Sequence, residues 1–279
     1  MYADVRGERG MCEVRLRRPV AGISFDRAAQ TYDDTRGLPL ALMDAAVAAL
    51  ARALVGGRVL EVGVGTGRFA LPLGERGLRV VGLDISEKMI TRAQAKGAHD
   101  LVLGSATRIP FGDRAFPSTI AIHLLHLIRD WPVALREIGR VTSVRFVTLL
   151  ETITTCPVGG EAPPPGHGPG DAYHPIRRYE EIAARWGYTY EHPGVRPPQM
   201  IESAAPSLRL RVGRHAEVVS GDALLAPAAV RSYSSQWAVS DEIHGRVMEV
   251  LTAEMSGRDF ERTWEIEVVG WTPDALLRM

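Results

Sequence analysis

Two rhythms of apolar and polar positions run along this chain. One is a short apolar run closed by glycine or aspartate, and the other spaces apolar residues three and four apart. The Ala/Leu-rich stretch LALMDAAVAALARAL follows Pro39, a favoured first-turn residue, and predicts a helix ended by Gly56-Gly57. Arg58–Val62 predicts a buried strand, 66–73 a helix, and 78–83 a second buried strand ending in Asp84. Ser86 stands where it can cap a helix with Met89, Ile90 and Ala93 on one face, stopped by Gly97. Leu101–Leu103 and 118–122 predict two more strands. Asp130 begins a helix with Ala134, Leu135, Ile138 and Val141 in register, and 144–150 predicts the next strand. Strands alternating with helices in this way argue for an α/β fold, a parallel sheet covered on both faces.

The rhythm breaks at PVGGEAPPPGHGPGD (157–171), where Pro and Gly support neither a helix nor an inner strand. Beyond it, 176–186 and 201–208 read as helices and 214–219 as a strand. Ser240 caps a helix carrying Ile243, Val247, Leu251 and Met255, closed by Gly257. The alternation of Trp264, Ile266 and Val268 marks a half-buried, antiparallel final strand. Residues 1–20 lack an apolar period, and the arm is expected over 1–23, within which Met11 is a second candidate start. The expected organisation is that arm, an alternating β/α core over 24–156, a Pro/Gly-rich loop over 157–172, and further helices with closing strands over 173–279.

Composition narrows the function classes. Lys+Arg and Asp+Glu both total 33, so the formal net charge is zero, which speaks against a general nucleic-acid or basic membrane-surface binder. Only Lys88 and Lys96 are lysine, the other basic residues being arginine. Cys12 and Cys156 are far apart and form no CxxC, so neither a disulfide scaffold nor a cysteine zinc site is indicated. No apolar run approaches the ~18 residues of a membrane span. The expectation is a cytoplasmic enzyme or binding protein.

The most informative stretch is Val59-Leu60-Glu61-Val62-Gly63-Val64-Gly65-Thr66-Gly67. An apolar strand runs into three alternating glycines, which let backbone approach a ligand closely and aim helix N–H groups at its anionic end. Glu61, near the strand's end, is expected to be exposed at the sheet's edge. Asp84 ends the next strand, where a carboxylate can accept both hydroxyls of a ribose. An NAD(P) oxidoreductase fits the same geometry, although its GxGxxG pattern would put glycine where Arg68 stands.

The spacing GxGxG with an acid two residues before it resembles the loop of class I S-adenosylmethionine (SAM)-dependent methyltransferases. The resemblance extends to SFDRAAQTYDDTRGLP (24–39), VVGLDISEKMITRAQAK (80–96), LVLGSATRIPF (101–111) and HLLHLIRDWPVALREIGRV (123–141). These segments, with AVRSYSSQWAVSDEIH and the last strand more loosely, resemble the small-molecule branch around the ubiquinone/menaquinone-type enzymes. The resemblance implies a Rossmann-like, doubly wound, mostly parallel seven-stranded sheet with an antiparallel last strand and a lid-like insertion after strand five. It implies SAM as cofactor, with Gly63, Gly65 and Gly67 under the methionyl part and Glu61 beside them. Asp84 would hold the ribose, Ile85 and Met89 the adenine face, and Ser105 and Ala106 the adenine edge. His123 would stand beside the sulfonium, and Tyr32 and Arg36 would close over the methionyl end. Ser105, Pro117 and Thr142-Ser143 depart from the family pattern, replacing an Asp, an acid and a Pro-Gly-Gly turn.

Methyl transfer needs the acceptor held in line and dry, with a base only where the nucleophile starts protonated. His123 and His126 are the catalytic candidates, with Glu151, Tyr173, His174, Tyr233 and Trp237 behind them. The site 122–125 reads Ile-His-Leu-Leu rather than the Pro-Pro-aromatic motif of nucleic-acid amino methyltransferases. With no acidic cluster for a metal, the expected partner is a small molecule with an O, N or C nucleophile, and the protein a monomer or homodimer. A SAM-binding protein without transferase activity stays open beside the enzyme.

Overall fold

A computed structural model of the chain describes residues 25, 26, 33, 38–160 and 173–279. The helix after Pro39 forms as α1 (Leu40–Ala53). It is followed by β1 (Arg58–Val62), α2 (Ala70–Glu75), β2 (Arg79–Asp84), α3 (Glu87–Ala95), β3 (Leu101–Leu103) and β4 (Phe116–Ile120). Then come α4 (Trp131–Val141), β5 (Thr142–Pro157), α5 (Pro175–Ala184), α6 (Pro197–Ser203) and β6 (Leu208–Ser220). The chain closes with α7 (Gly221–Ala229), α8 (Asp241–Met255), β7 (Asp259–Trp271) and α9 (Pro273–Leu276). No described helix is long and apolar enough to cross a membrane.

The seven strands lie in the order β3-β2-β1-β4-β5-β7-β6, with β7 antiparallel to both its neighbours and the other pairs parallel. Period-two alternation sends neighbouring residues to opposite faces. On β7, Trp264, Ile266 and Val268 pack beneath α1 and Leu73 of α2, whereas Val269 and Trp271 join α4, α9 and Met200 on the other face. A third cluster joins Tyr179 and Ile182 of α5, Leu224 and Leu225 of α7, Val247 and Leu251 of α8, and Phe260.

Four local differences from the sequence reading have physical causes. The second helix begins at Ala70 rather than 66, because Gly67 N–H closes a turn on the Val64 carbonyl at 3.0 Å. The expected 201–208 helix sits at Pro197–Ser203, where two prolines occupy its first turn, and Leu208 instead opens β6. Helix α7, with Pro227 inside it, has no counterpart in the reading, since an internal proline argues against a helix from sequence. β5 runs to Pro157 rather than 150 because β7 pairs with it along that whole length.

That extra length matters for function. β4 pairs with β5 only up to Ile120↔Val147, so the second half of β5 overhangs the carboxyl ends of the parallel strands. The helices of the third cluster pack with Phe260 of β7, which pairs with Pro157 at the end of this overhang, and arrive in two pieces, α5 before β6 and α7–α8 after it. Two family departures are absorbed locally. Thr142 Oγ1 bonds the Ile138 carbonyl at 2.5 Å and Thr119 Oγ1 at 2.8 Å, so α4 passes into β5 without a loop. Pro117 packs over Gly56, whose φ of +75° and lack of a Cβ leave it room.

Candidate active site

The carboxyl ends of β1, β2 and β4 open into a cleft of about 820 Å³. Its walls include Gly63, Gly65, Asp84, Ile85, Met89, Ser105, Ala106 and His123, eight of the residues singled out from the sequence. Gly63 and Gly65 adopt φ of +76° and +55°, the left-handed region that suits glycine. A Cβ on Gly65 would meet nothing within 4 Å, whereas one on Gly63 would lie 2.7 Å from Leu124 Cδ1. Gly65 therefore keeps the cleft floor open, and Gly63 admits the turn after β4.

Asp84 is fixed by the backbone around it. Its Oδ2 accepts Gly65 N–H and its Oδ1 accepts Ser86 N–H, both at 2.8 Å. Burial raises its pKa, and the Ser86, Gly65 and Ile85 N–H groups oppose that rise. Ser86 also caps α3, its hydroxyl accepting Met89 N–H at 3.1 Å and donating to Asp26. Ser105 is buried, accepting Thr107 N–H at 3.2 Å. An apolar cluster of Phe25, Met89, Leu127 and Trp237 closes one side, with Phe25 and Trp237 edge to face at 5.0 Å. Phe25 and Leu127 carried no site signal in the sequence beyond lying within segments of family resemblance.

Three expectations need correction. Glu61 is not exposed at the sheet's edge but buried, with Oε2 unpartnered. Burial first, and then the charge of Asp84, push its carboxyl well above the usual range, against a hydrogen bond from Ala70 N–H at the start of α2. The loop's N–H groups at Gly65 and Gly67 are likewise spent inside the protein, on Asp84 and Val64, rather than aimed at a ligand. Gly67, at φ +78°, packs towards Ala93 and Ala98 and does not line the cleft. Tyr32 and Arg36 lie outside the described residues.

His123 and His126 part company. His123 sits just past β4 at φ +55° and lines the cleft, its Nε2 2.7 Å from Glu151 Oε1 on the β5 overhang. Burial would raise Glu151, but His123 and Arg68 hold it below the usual carboxylate range. His126 instead lines a second cavity of about 1210 Å³, together with Glu151, His174, Tyr233 and residues of α5. Trp237 donates its indole N–H to the Arg231 carbonyl at 3.0 Å. Tyr173 packs on Phe260 at 5.8 Å between ring centres. Among the described residues no group of three His, Cys, Asp or Glu is placed to hold a metal ion.

The cleft suits an adenosyl cofactor: a carboxylate with bonding capacity to spare beside apolar walls, and a glycine floor that a side chain would fill. Residues 60–145 match the family described as a methyltransferase domain. A malonyl-[acyl-carrier protein] O-methyltransferase from Serratia marcescens is 32% identical over 131 residues, 47% of this chain and 51% of that protein. A demethylmenaquinone methyltransferase from Renibacterium salmoninarum is 36% identical over 91 residues, 32% of this chain and 38% of that protein. The chain thus spans about half the length of the first relative and less of the second. A putative type II methyltransferase from Anaeromyxobacter dehalogenans shares the fold at TM-score 0.54 and 19% identity, over 82% of this chain and 96% of that one. By this domain match, these relatives, the glycine loop after β1 and the aspartate that ends β2, residues 60–145 carry a methyltransferase domain similar to those of the class I SAM-dependent enzymes.

Proposed function

We propose that the protein transfers a methyl group from SAM to a small-molecule acceptor through an oxygen, nitrogen or carbon nucleophile. The observation that carries this reading is the Asp84 carboxylate, fixed by two backbone N–H groups at the mouth of an apolar cleft. Its remaining lone pairs accept the ribose hydroxyls. Ile85 and Met89 pack on adenine, and Ser105 and Ala106 meet its edge. Gly63 and Gly65 let the methionyl part lie against the backbone, with Gly67 shaping the turn and the buried Glu61 beneath it. Tyr32 and Arg36 keep the role of closing over that end.

Bound SAM supplies an electrophilic methyl group on a sulfonium. The chain's own task is to hold the acceptor in line and dry, which supplies much of the rate as effective molarity. His123 stands where the cleft meets the second cavity, with Glu151 bonded to one ring nitrogen. For a hydroxyl or protonated amine acceptor, His123 takes the proton and Glu151 stabilises the imidazolium. His126 faces the acceptor side. The helices on the β5 overhang form the lid over the acceptor. Zero net charge favours a small metabolite over nucleic acid, in the cytoplasm, with the protein a monomer or homodimer.

The test incubates the protein with methyl-labelled SAM and a panel of small acceptors. Transfer of label by the native chain, and less than about a hundredth of it by Asp84→Ala, is expected from the loss of two charge-assisted hydrogen bonds. Equal turnover by Asp84→Ala would overturn the role of Asp84. Binding of SAM without transfer to any class of acceptor would favour a SAM-binding protein instead.

A further inference from the structure

The second cavity borders the cleft along residues 123–128. His123, Leu124, Leu127 and Ile128 face the cleft while His126 faces the cavity. The two spaces meet at the His123–Glu151 bond of 2.7 Å. Away from that junction the lining changes character, to His174, Arg177, His192 and Arg196, with Glu180 and Glu181 on α5. An acceptor that reaches His123 therefore extends its other end among two arginines, two histidines and the two acids of α5.

Charge pairing there is incomplete. Glu151 is engaged by His123, and Glu181 by Arg178 at 3.1 Å. Glu180 is the acid facing Arg196 and Arg177, and it accepts a bond from the Ser235 side chain while burial raises its pKa. The Arg196 guanidinium makes no hydrogen bond or ion pair with any described residue; its backbone is engaged, the N–H donating to Gln199 Oε1 at 2.9 Å and the carbonyl accepting Met200 N–H at 3.1 Å. Burial, and then the charge of Arg177, lowers its pKa. Nδ1 of His174 and Nδ1 of His192 are both buried without a hydrogen-bond partner. Burial and the charges of Arg262, Arg177 and Arg196 hold His174 at about 4, so its ring is neutral. Buried ring nitrogens without partners, and a guanidinium left uncompleted beside another, cost free energy unless a ligand completes them, and an anion suits the guanidinium.

We propose that this cavity receives an oxyanion of the methyl acceptor, so that the acceptor is a small molecule bearing a carboxylate or phosphate, held by Arg196 and Arg177 with His174 and His192 beside them. The inference rests on the methyltransferase reading above, since it takes the neighbouring cleft to be filled by SAM. The anionic end lies away from the junction and the nucleophile lies at His123, which fixes the acceptor's direction. The acceptor is thus at least bifunctional, an anionic handle joined to the group that is methylated.

The test fills the cleft with S-adenosylhomocysteine and adds inorganic phosphate or sodium acetate, against sodium chloride at matched ionic strength. Phosphate or acetate is expected to raise the thermal midpoint beyond the chloride control, the larger shift naming the headgroup. In Arg196→Gln the anion-specific shift disappears while the Kd for S-adenosylhomocysteine changes less than about threefold. If that variant does not fold, the native protein gives the same readout: the His174 and His192 imidazole resonances move on adding the anion. No anion-specific shift in the native protein, or the same shift in Arg196→Gln, would overturn the proposal. Failure to bind S-adenosylhomocysteine at all would instead strike at the methyltransferase reading. Turnover confined to uncharged or cationic acceptors in the labelled screen would also overturn it.

Discussion

The cleft at the ends of β1, β2 and β4 and the cavity beside α5 share one wall, yet they are built in opposite ways. Apart from Phe25, the cleft is lined by short segments at and after the ends of β1 to β4, chiefly backbone and apolar side chains, with Asp84 its one carboxylate. The cavity gathers titratable side chains from β5, α5, the 192–196 loop and residues 233–235, most of them far apart in sequence. In the proposed reading the first holds the cofactor by fixed backbone geometry and the second holds the acceptor by charge.

Breaking each region separately sharpens this contrast. The largest expected effect is on cofactor affinity: Asp84→Ala weakens S-adenosylhomocysteine binding by about 100-fold or more, since hydrogen bonds to a charged acceptor contribute roughly 1.5–3 kcal/mol each. Calorimetry reads this directly, and the anion response of the cavity should survive it. Next is the shared wall. Gly194 N–H donates to the His126 carbonyl at 3.1 Å, and a Cβ there would sit 1.9 Å from the Leu125 carbonyl oxygen. Gly194→Ala is expected to cost about 3 kcal/mol, measured by urea unfolding, because backbone has to move.

The two regions also respond oppositely to pH. His174 titrates near its ordinary value of 6.5 in the unfolded chain but at about 4 in the folded one. The unfolded state therefore binds the proton first, and stability falls as pH drops from 6.5 towards 4, by on the order of 3 kcal/mol. Glu61, under the cleft, has its folded pKa raised, so it works against stability as pH climbs above 4.5. Unfolding midpoints across pH should show His174→Gln flattening the acid limb and Glu61→Gln the alkaline one. The smallest effect lies outside both regions. Tyr179→Phe removes the bond to His244 Nδ1 at 2.8 Å and costs about 1 kcal/mol, leaving cofactor and anion binding unchanged in the same assays.

The contrast also explains what could be read from the chain. Gly63, Gly65, Asp84 and Ser86 were legible because their roles follow from local backbone geometry: a positive φ, a strand end, a helix cap. The succession of strands and helices along the chain through β5 followed from periodicity for the same reason. Glu61 was misjudged because its burial depends on α2 and Asp84 closing over it. His126 was grouped with His123 by sequence distance, yet the turn at residues 125–127 directs it into the other cavity. The arginines and histidines of that cavity gave no pattern, because only the overhang of β5 and the pairing of β7 bring their segments together. Two of the many arginines, Arg177 and Arg196, line that cavity.

The measurement that tests the central claim most directly is a calorimetric titration of the native protein with S-adenosylhomocysteine, set against NADH. The account predicts one equivalent of S-adenosylhomocysteine bound per chain, lost or severely weakened in Asp84→Ala, and no heat from NADH. Saturable binding of NADH through Asp84, with none of S-adenosylhomocysteine, would contradict it.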